Sequence, residues 1–175
     1  METIHQYIEN QMNDVIVKKK QNPIPSLLVL AVGIILLIMM RTSEASDSLR
    51  MIMLTVGIIC TALGFILTAM NLSGSMWYFF YKPTSCRMKD TKIYLSASDY
   101  RTALDAMGSN DSLTLSRLKP QVSGNGALDL LFSTDGACLL LQAGHYEGSR
   151  FESETPVACF HGAEALSIMK LCKSN

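Results

Sequence analysis

The sequence predicts a two-helix transmembrane hairpin joined to a small cytosolic α+β domain, an antiparallel sheet with two helices. Three observations lead to this fold class. Residues 24–40 and 51–72 are long uncharged apolar runs. Charged residues make up only 17% of the chain, below the roughly 25% of soluble proteins, and the deficit lies in those runs. The segment after residue 82 alternates between strand-like and helix-like patterns.

Residues 1–22 form the predicted amphipathic N-terminal arm. An apolar stripe at helical spacing comprises Ile4, Tyr7, Ile8, Met12 and Val15. The opposite face is acidic, whereas helices that lie on membranes usually carry a basic polar face. We therefore expect the arm to pack against the soluble domain or a second copy.

Residues 23–41 and 51–72 are the predicted transmembrane helices, and residues 42–50 form a short external loop. At about 1.5 Å per residue, each helix approaches or exceeds the roughly 30 Å hydrocarbon core. Two alternatives remain open, in which both runs are core helices of a soluble protein or the first is a signal peptide cleaved within residues 43–46. Residues 24–40 and 51–72 contain no Asp, Glu, Lys, Arg or His, the side chains that usually mark ion or proton pathways.

Small residues in the second helix predict close helix packing. Gly57, Thr61, Gly64 and Thr68 share one helical face, and small residues let two backbones approach closely inside a membrane. The face could serve packing within the hairpin or a seam between copies of the chain.

Lysine and arginine residues predict the orientation. They gather before the first helix (Lys18, Lys19, Lys20) and after the second (Lys82, Arg87, Lys89, Lys92), whereas the loop carries only Arg41 and Arg50. The positive-inside rule then places both termini in the cytoplasm. The cysteines beyond the second helix are expected to be free thiols there.

Residues 73–82 form a predicted aromatic interfacial segment. Trp and Tyr gather where membrane meets water because one edge of the ring is apolar and the other polar. The predicted interface residues are Trp77, Tyr78, Phe79, Phe80, Tyr81 and Lys82.

Residues 83–175 form the predicted cytosolic domain. Apolar and polar side chains alternate at residues 91–96 and 112–118, which predicts two strands. Residues 98–108 between them predict a helix. The Asp135–Gly136 pair between two apolar runs predicts a β-hairpin. Pro156 disfavours a central strand position, and residues 163–173 predict a final helix with Ala165, Leu166, Ile168, Met169 and Cys172 on one face.

Cys159, His161 and His145 are the candidate catalytic residues. On a strand, Cys159 and His161 point the same way, so an imidazole could activate the thiol or share a metal ion with it. No fourth ligand follows from the spacing, so neither a metal site nor a cofactor is predicted. The alternative is a buried cysteine beside a solvent-facing histidine.

These features predict an integral membrane protein that anchors a non-enzymatic interaction or scaffold module. Its expected partners are the lipid bilayer and another protein or a second copy. Nucleic acid is not expected because the net charge is zero. The alternatives are a membrane-tethered enzyme using a Cys/His pair and an accessory subunit of a larger membrane complex.

Overall fold

The computed structural model describes residues 2–42, 46–74, 76–124, 126–147 and 150–173. The helices are α1 (Ile4–Gln11), α2 (Ile24–Thr42), α3 (Asp47–Leu72), α4 (Ala97–Gly108), α5 (Ser112–Leu115) and α6 (Gly162–Met169), followed by a 3₁₀ turn at Lys170–Lys173. The strands are β1 (Ile16–Lys20), β2 (Trp77–Tyr81), β3 (Cys86–Leu95), β4 (Gly126–Ser133), β5 (Cys138–Glu147), β6 (Arg150–Ser153) and β7 (Ala158–His161).

The chain forms two compact units. One consists of Lys19–Tyr78, which contains the two long apolar helices. The other combines Met1–Lys18 with Phe79–Asn175. The N-terminal arm therefore belongs to the same unit as the sheet, although the hairpin separates them in sequence.

The long helices α2 and α3 pack against each other as an antiparallel pair. A Cβ atom added to Gly33 would lie 2.5 Å from the backbone nitrogen of Thr61, and one added to Gly64 would lie 2.5 Å from that of Leu30. Helix α3 begins at Asp47, so it takes up part of the predicted loop at residues 42–50. Residues 43–45 of that loop, and with them most of the alternative cleavage region, lie outside the described residues.

The strands form one sheet in the order β1-β2-β3-β4-β5-β6, and β7 also pairs with β5. The ladders from β2 onward are antiparallel. The predicted β-hairpin is confirmed as the pair β4–β5. Its turn contains Gly136, whose backbone lies in the left-handed region at φ 77°. Two apolar helices and an antiparallel sheet with helices are thus present, as the sequence predicted.

Two short strands, β6 and β7, pair with the edge of β5 that faces away from β4. β7 pairs with its first half, from Cys138 to Leu141, and β6 pairs with its second half, from Gly144 to Glu147. Pro156 lies in the break between β6 and β7, which is consistent with its missing N–H group.

One face of the sheet is covered by α4, α5 and α6. Ala103, Ala106 and Met107 of α4 pack there with the inward leucines of the hairpin. The side chains of the β4–β5 hairpin on this face are Leu128, Leu130, Phe132, Leu139 and Leu141, and all are buried in the cluster. In α6, Ala165, Ile168 and Met169 are buried as predicted, but Leu166 is 50% exposed.

The other face is covered by the N-terminal arm. Ile4 and Ile8 of α1 are buried, and burial of one such side chain contributes about 1.5–3 kcal/mol. A capping box starts the helix, in which Thr3 N–H donates to Oε1 of Gln6 at 3.0 Å. The arm residues join a cluster comprising Ile16, Phe79, Tyr81, Met88, Leu131, Cys138 and Leu140.

The strand predicted at residues 112–118 is wrong. Ser112–Leu115 is a short helix because the Asp111 carboxylate accepts hydrogen bonds from Leu113 N–H at 3.1 Å and Thr114 N–H at 3.2 Å. That N-cap outweighs the alternating apolar pattern. Helix α4 starts at Ala97 with Ser96 as its N-cap, so it begins one residue earlier than the predicted range of 98–108.

Candidate functional site

Cys138, Cys159 and His161 converge on the arm-covered face of the sheet. In the register of β5 and β7, Cys138 lies opposite His161 and Cys159 lies opposite Leu140. Because side chains alternate along a strand, all three point to the face that α1 covers. One sulfur or ring-nitrogen atom from each lies within 4.8 Å of the others.

Backbone contacts hold both strands at this point. The buried Ser133 hydroxyl accepts from Cys138 N–H at 2.9 Å and donates to the Cys138 carbonyl at 3.3 Å. At the end of β7, Gly162 N–H donates to the Ala137 carbonyl at 3.1 Å. Gly162 has φ 56° and starts α6 directly after His161, a turn that suits glycine. The three side chains therefore project from a fixed part of the sheet.

The two thiols have different environments. Cys138 is fully buried and Cys159 half-buried, with the Cys159 sulfur 3.3 Å from Nε2 of His161. The Cys138 S–H donates to Cys159 and lowers the pKa of Cys159 to about 7, helped by His161 and opposed by burial. The same hydrogen bond and burial raise the pKa of Cys138. Of the two, Cys159 is the thiol that ionises more readily.

Two tyrosines lie close to these thiols. Burial, and then the charge of Cys159, raises the pKa of Tyr7 on α1. Burial also raises the pKa of Tyr81 on β2, with Cys138 and Cys159 adding to the rise. The N-terminal arm thus packs beside Cys138 and Cys159. The spacing of cysteines and histidines in the sequence does not reveal this contact.

His145 lies away from this cluster. It is seven positions beyond Cys138 on β5 and points to the other face, so roughly 23 Å of strand separates the two positions. Its Nδ1 lies 2.8 Å from Oε1 of Glu154, and Tyr100 O–H donates to Oε2 of that carboxylate at 2.6 Å. His145 and Tyr100 line an open cavity of about 370 Å³ beside α4. The structure therefore brings together Cys159 and His161 but not His145.

Sequence reasoning missed Cys138. Cys138 lies two positions after the Asp135–Gly136 turn, and its neighbours across the sheet depend on the pairing of β5 with β7. It also missed a carboxyl pair, Asp90 and Asp129. Burial and the adjacent Asp90 raise the pKa of Asp129 to about 6, against the opposing effect of Lys92.

Five of the six predicted interface residues form strand β2 (Trp77–Tyr81), and Lys82 follows it. Phe79 and Tyr81 are buried in the arm-covered cluster, whereas Trp77 is 40% exposed. Tyr78 and Phe80 are half-buried and Lys82 is exposed. The alternation follows from strand geometry, so Phe79 and Tyr81 pack into the core of the sheet unit. Membrane contact of the segment stays a prediction.

The small residues of α3 face α2. A Cβ atom on Gly57 would lie 2.9 Å from Leu37, and Gly64 packs on Leu30. Thr61 donates its hydroxyl to the Gly57 carbonyl at 2.7 Å. The hydroxyl oxygen of Thr68 is buried and has no hydrogen-bond partner among the described residues. The Gly57–Gly64 stripe thus serves packing within the helix pair.

Comparison of the chain with protein-family models, with curated proteins and with solved structures returned no match in any of the three.

Proposed function

We propose that the chain is an integral membrane protein whose helices α2 and α3 form a transmembrane hairpin. The hairpin holds a small interaction or scaffold module at the cytoplasmic face. The module consists of the N-terminal arm, the sheet and α4–α6. In this proposal its partners are the lipid bilayer and another protein or a second copy of the chain, and its role is not enzymatic.

The exposure of α2 and α3 carries the proposal. Within the most apolar stretch of each helix, only 11% of the residues are buried. Leu28 is 62% exposed and Phe65 67% exposed. A soluble monomer rarely exposes apolar patches larger than a few hundred Å². A core helix of a soluble protein would instead be mostly buried, so lipid is the solvent that suits these two helices.

The distribution of basic residues supports cytoplasmic termini. The lysines at residues 18–20 precede α2, and Lys82, Arg87 and Lys89 follow α3, whereas Arg41 and Arg50 flank the connection between the helices. The module would then occupy the reducing compartment, which keeps Cys138 and Cys159 as thiols.

Exposed apolar side chains on the module support an interaction role. Val122 is 93% exposed and Leu113 65% exposed, and both follow α4 in the chain. The Gly57–Gly64 stripe contacts α2, so it does not provide a seam between copies of the chain.

A photo-crosslinking experiment tests this role. A photoreactive amino acid replaces Val122 in the full chain in cells, and a matched variant carries it at the exposed Arg101. The proposal predicts one covalent adduct of defined mass from position 122, with either a single partner or a second copy. Adducts of equal yield and pattern from both positions, or none from position 122, would count against it.

A membrane-tethered thiol enzyme is the second candidate. The 3.3 Å approach of His161 Nε2 to the Cys159 sulfur favours it, because an imidazole at that distance can take the thiol proton. Iodoacetamide labelling followed by mass spectrometry separates the candidates. The enzyme predicts a hyper-reactive Cys159 that slows when His161 becomes glutamine, and the interaction module predicts slow labelling of every cysteine outside the hairpin.

An accessory subunit is the remaining alternative from the sequence. It would use the small-residue face of α3 against another membrane protein, but in the helix pair that face contacts α2. We therefore rank it third.

A further inference from the structure

We infer that Cys138, Cys159 and His161 bind one Zn²⁺ ion and leave its fourth coordination position to water or an external ligand. This metal site goes beyond the proposed anchoring and interaction role and does not depend on it. The protein supplies two sulfur atoms and one imidazole nitrogen, all from the paired strands β5 and β7.

The distances fit tetrahedral coordination. With Zn–S bonds of about 2.3 Å and Zn–N bonds of about 2.0 Å, neighbouring ligand atoms lie about 3.5–3.8 Å apart. The Cys159 sulfur is 3.3 Å from Nε2 of His161, and no pair in the trio exceeds 4.8 Å. Small side-chain rotations therefore bring the three atoms to coordination distance without moving the strands.

The framework is already organised for binding. Ser133 fixes the backbone of Cys138 through both its N–H and carbonyl groups, and Gly162 ties the end of β7 to Ala137. Metal sites gain affinity when their ligands sit on rigid elements. The exposed imidazole of His161 gives the ion a path from solvent, while Cys138 closes the buried side.

A disulfide is a poorer use of the two cysteines. Because Cys138 pairs with His161 and Cys159 pairs with Leu140, the cysteines are diagonal neighbours. The Cα atoms of such positions lie about 7–8 Å apart in antiparallel sheets, beyond the usual disulfide range of about 4.4–6.8 Å. Oxidation would require the strands to shift, whereas a metal ion bridges the gap between the sulfur atoms.

The ligand set selects the ion. Two thiolates and one imidazole suit a borderline ion such as Zn²⁺ and disfavour Mg²⁺ or Ca²⁺, which prefer oxygen. Among the described residues, the ion-holding group at this place consists of these three side chains. Three protein ligands with one open position is the pattern of open zinc sites rather than closed structural ones.

Cobalt substitution tests the site directly. The full chain in detergent micelles, reduced with a phosphine, is titrated with Co²⁺ and then with Zn²⁺. We expect one equivalent of Co²⁺ to give thiolate-to-cobalt charge-transfer bands and strong tetrahedral d–d bands, and Zn²⁺ to abolish both. Weak octahedral bands, or no charge-transfer band, would overturn the inference.

Variants identify the ligands. His161→Gln and Cys159→Ser should lower Zn²⁺ affinity by more than the roughly 10- to 100-fold typical of losing an outer-shell partner. Cys86→Ser, Cys172→Ser and His145→Gln are the matched controls and should bind like the parent chain. Since His161 is exposed, its replacement leaves the core intact even if Cys138→Ser does not fold. Unchanged binding in His161→Gln and Cys159→Ser together would refute the site.

Discussion

Gln142 on β5 donates a hydrogen bond from Nε2 to the backbone carbonyl of Glu2 at 2.7 Å, across 140 positions of sequence. The same nitrogen donates to the Thr155 carbonyl at 2.9 Å. The side chain is only 1% exposed. One buried amide therefore ties the start of the arm and the break between β6 and β7 to the centre of the sheet.

Replacing Gln142 with leucine should loosen the arm. The change leaves two carbonyl groups without their donor, and each such loss costs about 1–3 kcal/mol. We expect faster hydrogen exchange across Ile4–Gln11 and a drop of about 2 kcal/mol or more in the stability of the sheet unit. Gln11→Leu, on the exposed side of α1, is the control. Exchange in α1 that Gln142→Leu leaves unchanged would show that this hydrogen bond does not hold the arm.

The alternation within β2 predicts opposite outcomes for two neighbouring aromatics. Phe79 is 4% exposed, so Phe79→Ala should destabilise the sheet unit by about 3–5 kcal/mol. Trp77 is 40% exposed, and Trp77→Ala should cost well below that amount. Urea unfolding followed by tyrosine fluorescence measures both. Equal losses would contradict the burial pattern of the strand.

Asp129 predicts a pH dependence of stability. Its pKa is raised from 3.8 to about 6, chiefly by burial and then by Asp90. Because the pKa of Asp129 is higher in the folded state than in the unfolded state, protonation favours the folded state. This stabilisation is full below about pH 4 and is lost as the pH rises through about 6. This rise in the pKa of Asp129 corresponds to a change of at most roughly 3 kcal/mol in the free energy of unfolding.

Asp129→Asn should remove this dependence. The difference in unfolding free energy between variant and parent should shift in favour of the variant from pH 4 to pH 7.5, because asparagine needs no proton. Asp105→Asn removes an exposed carboxylate on α4 and is the control for the loss of one acidic side chain. A difference between Asp129→Asn and the parent chain that does not change with pH would contradict the raised pKa of Asp129.

Gly64→Leu should disrupt the helix pair. A Cβ atom there would lie 2.5 Å from the backbone nitrogen of Leu30, and overpacking of this kind costs about 1–3 kcal/mol. Ala62→Leu adds the same side chain on the exposed face of α3. Circular dichroism in detergent micelles should show earlier loss of helix for Gly64→Leu alone. Identical midpoints for the two variants would contradict the packing.

Local chemistry predicted much of the fold. The Asp135–Gly136 turn located the β4–β5 hairpin, because few turns join two adjacent strands with the correct twist. The apolar runs located α2 and α3, since their length and lack of charge are unusual outside membranes. The stripe on the arm predicted packing against the soluble domain or a second copy, and Ile4 and Ile8 pack on the sheet.

The misses came from competing local signals. At residues 112–118 the alternation of leucines favoured a strand, but two hydrogen bonds to Asp111 favoured a helix. In β2 the contiguous aromatics lack an alternating apolar and polar pattern, so the strand itself was not predicted. Period-two alternation instead sends Phe79 and Tyr81 into the core.

The site was predictable only within one strand. Cys159 and His161 were paired by their spacing, which fixes a shared face on any strand. Cys138 joins them only through the register of β5 with β7, and Tyr7 only through the packing of α1. Those contacts arise from tertiary structure, which a spacing rule does not contain.

Cysteine accessibility in intact cells tests the central claim, that α2 and α3 span a membrane with both termini in the cytoplasm. Single-cysteine chains carry either Ser46→Cys, in the connection between the helices, or the native Cys86 at the start of β3. A membrane-impermeant maleimide is applied before and after permeabilisation. The account predicts labelling of position 46 in intact cells and of Cys86 only after permeabilisation. Labelling of Cys86 in intact cells, or labelling of neither position until permeabilisation, would contradict it.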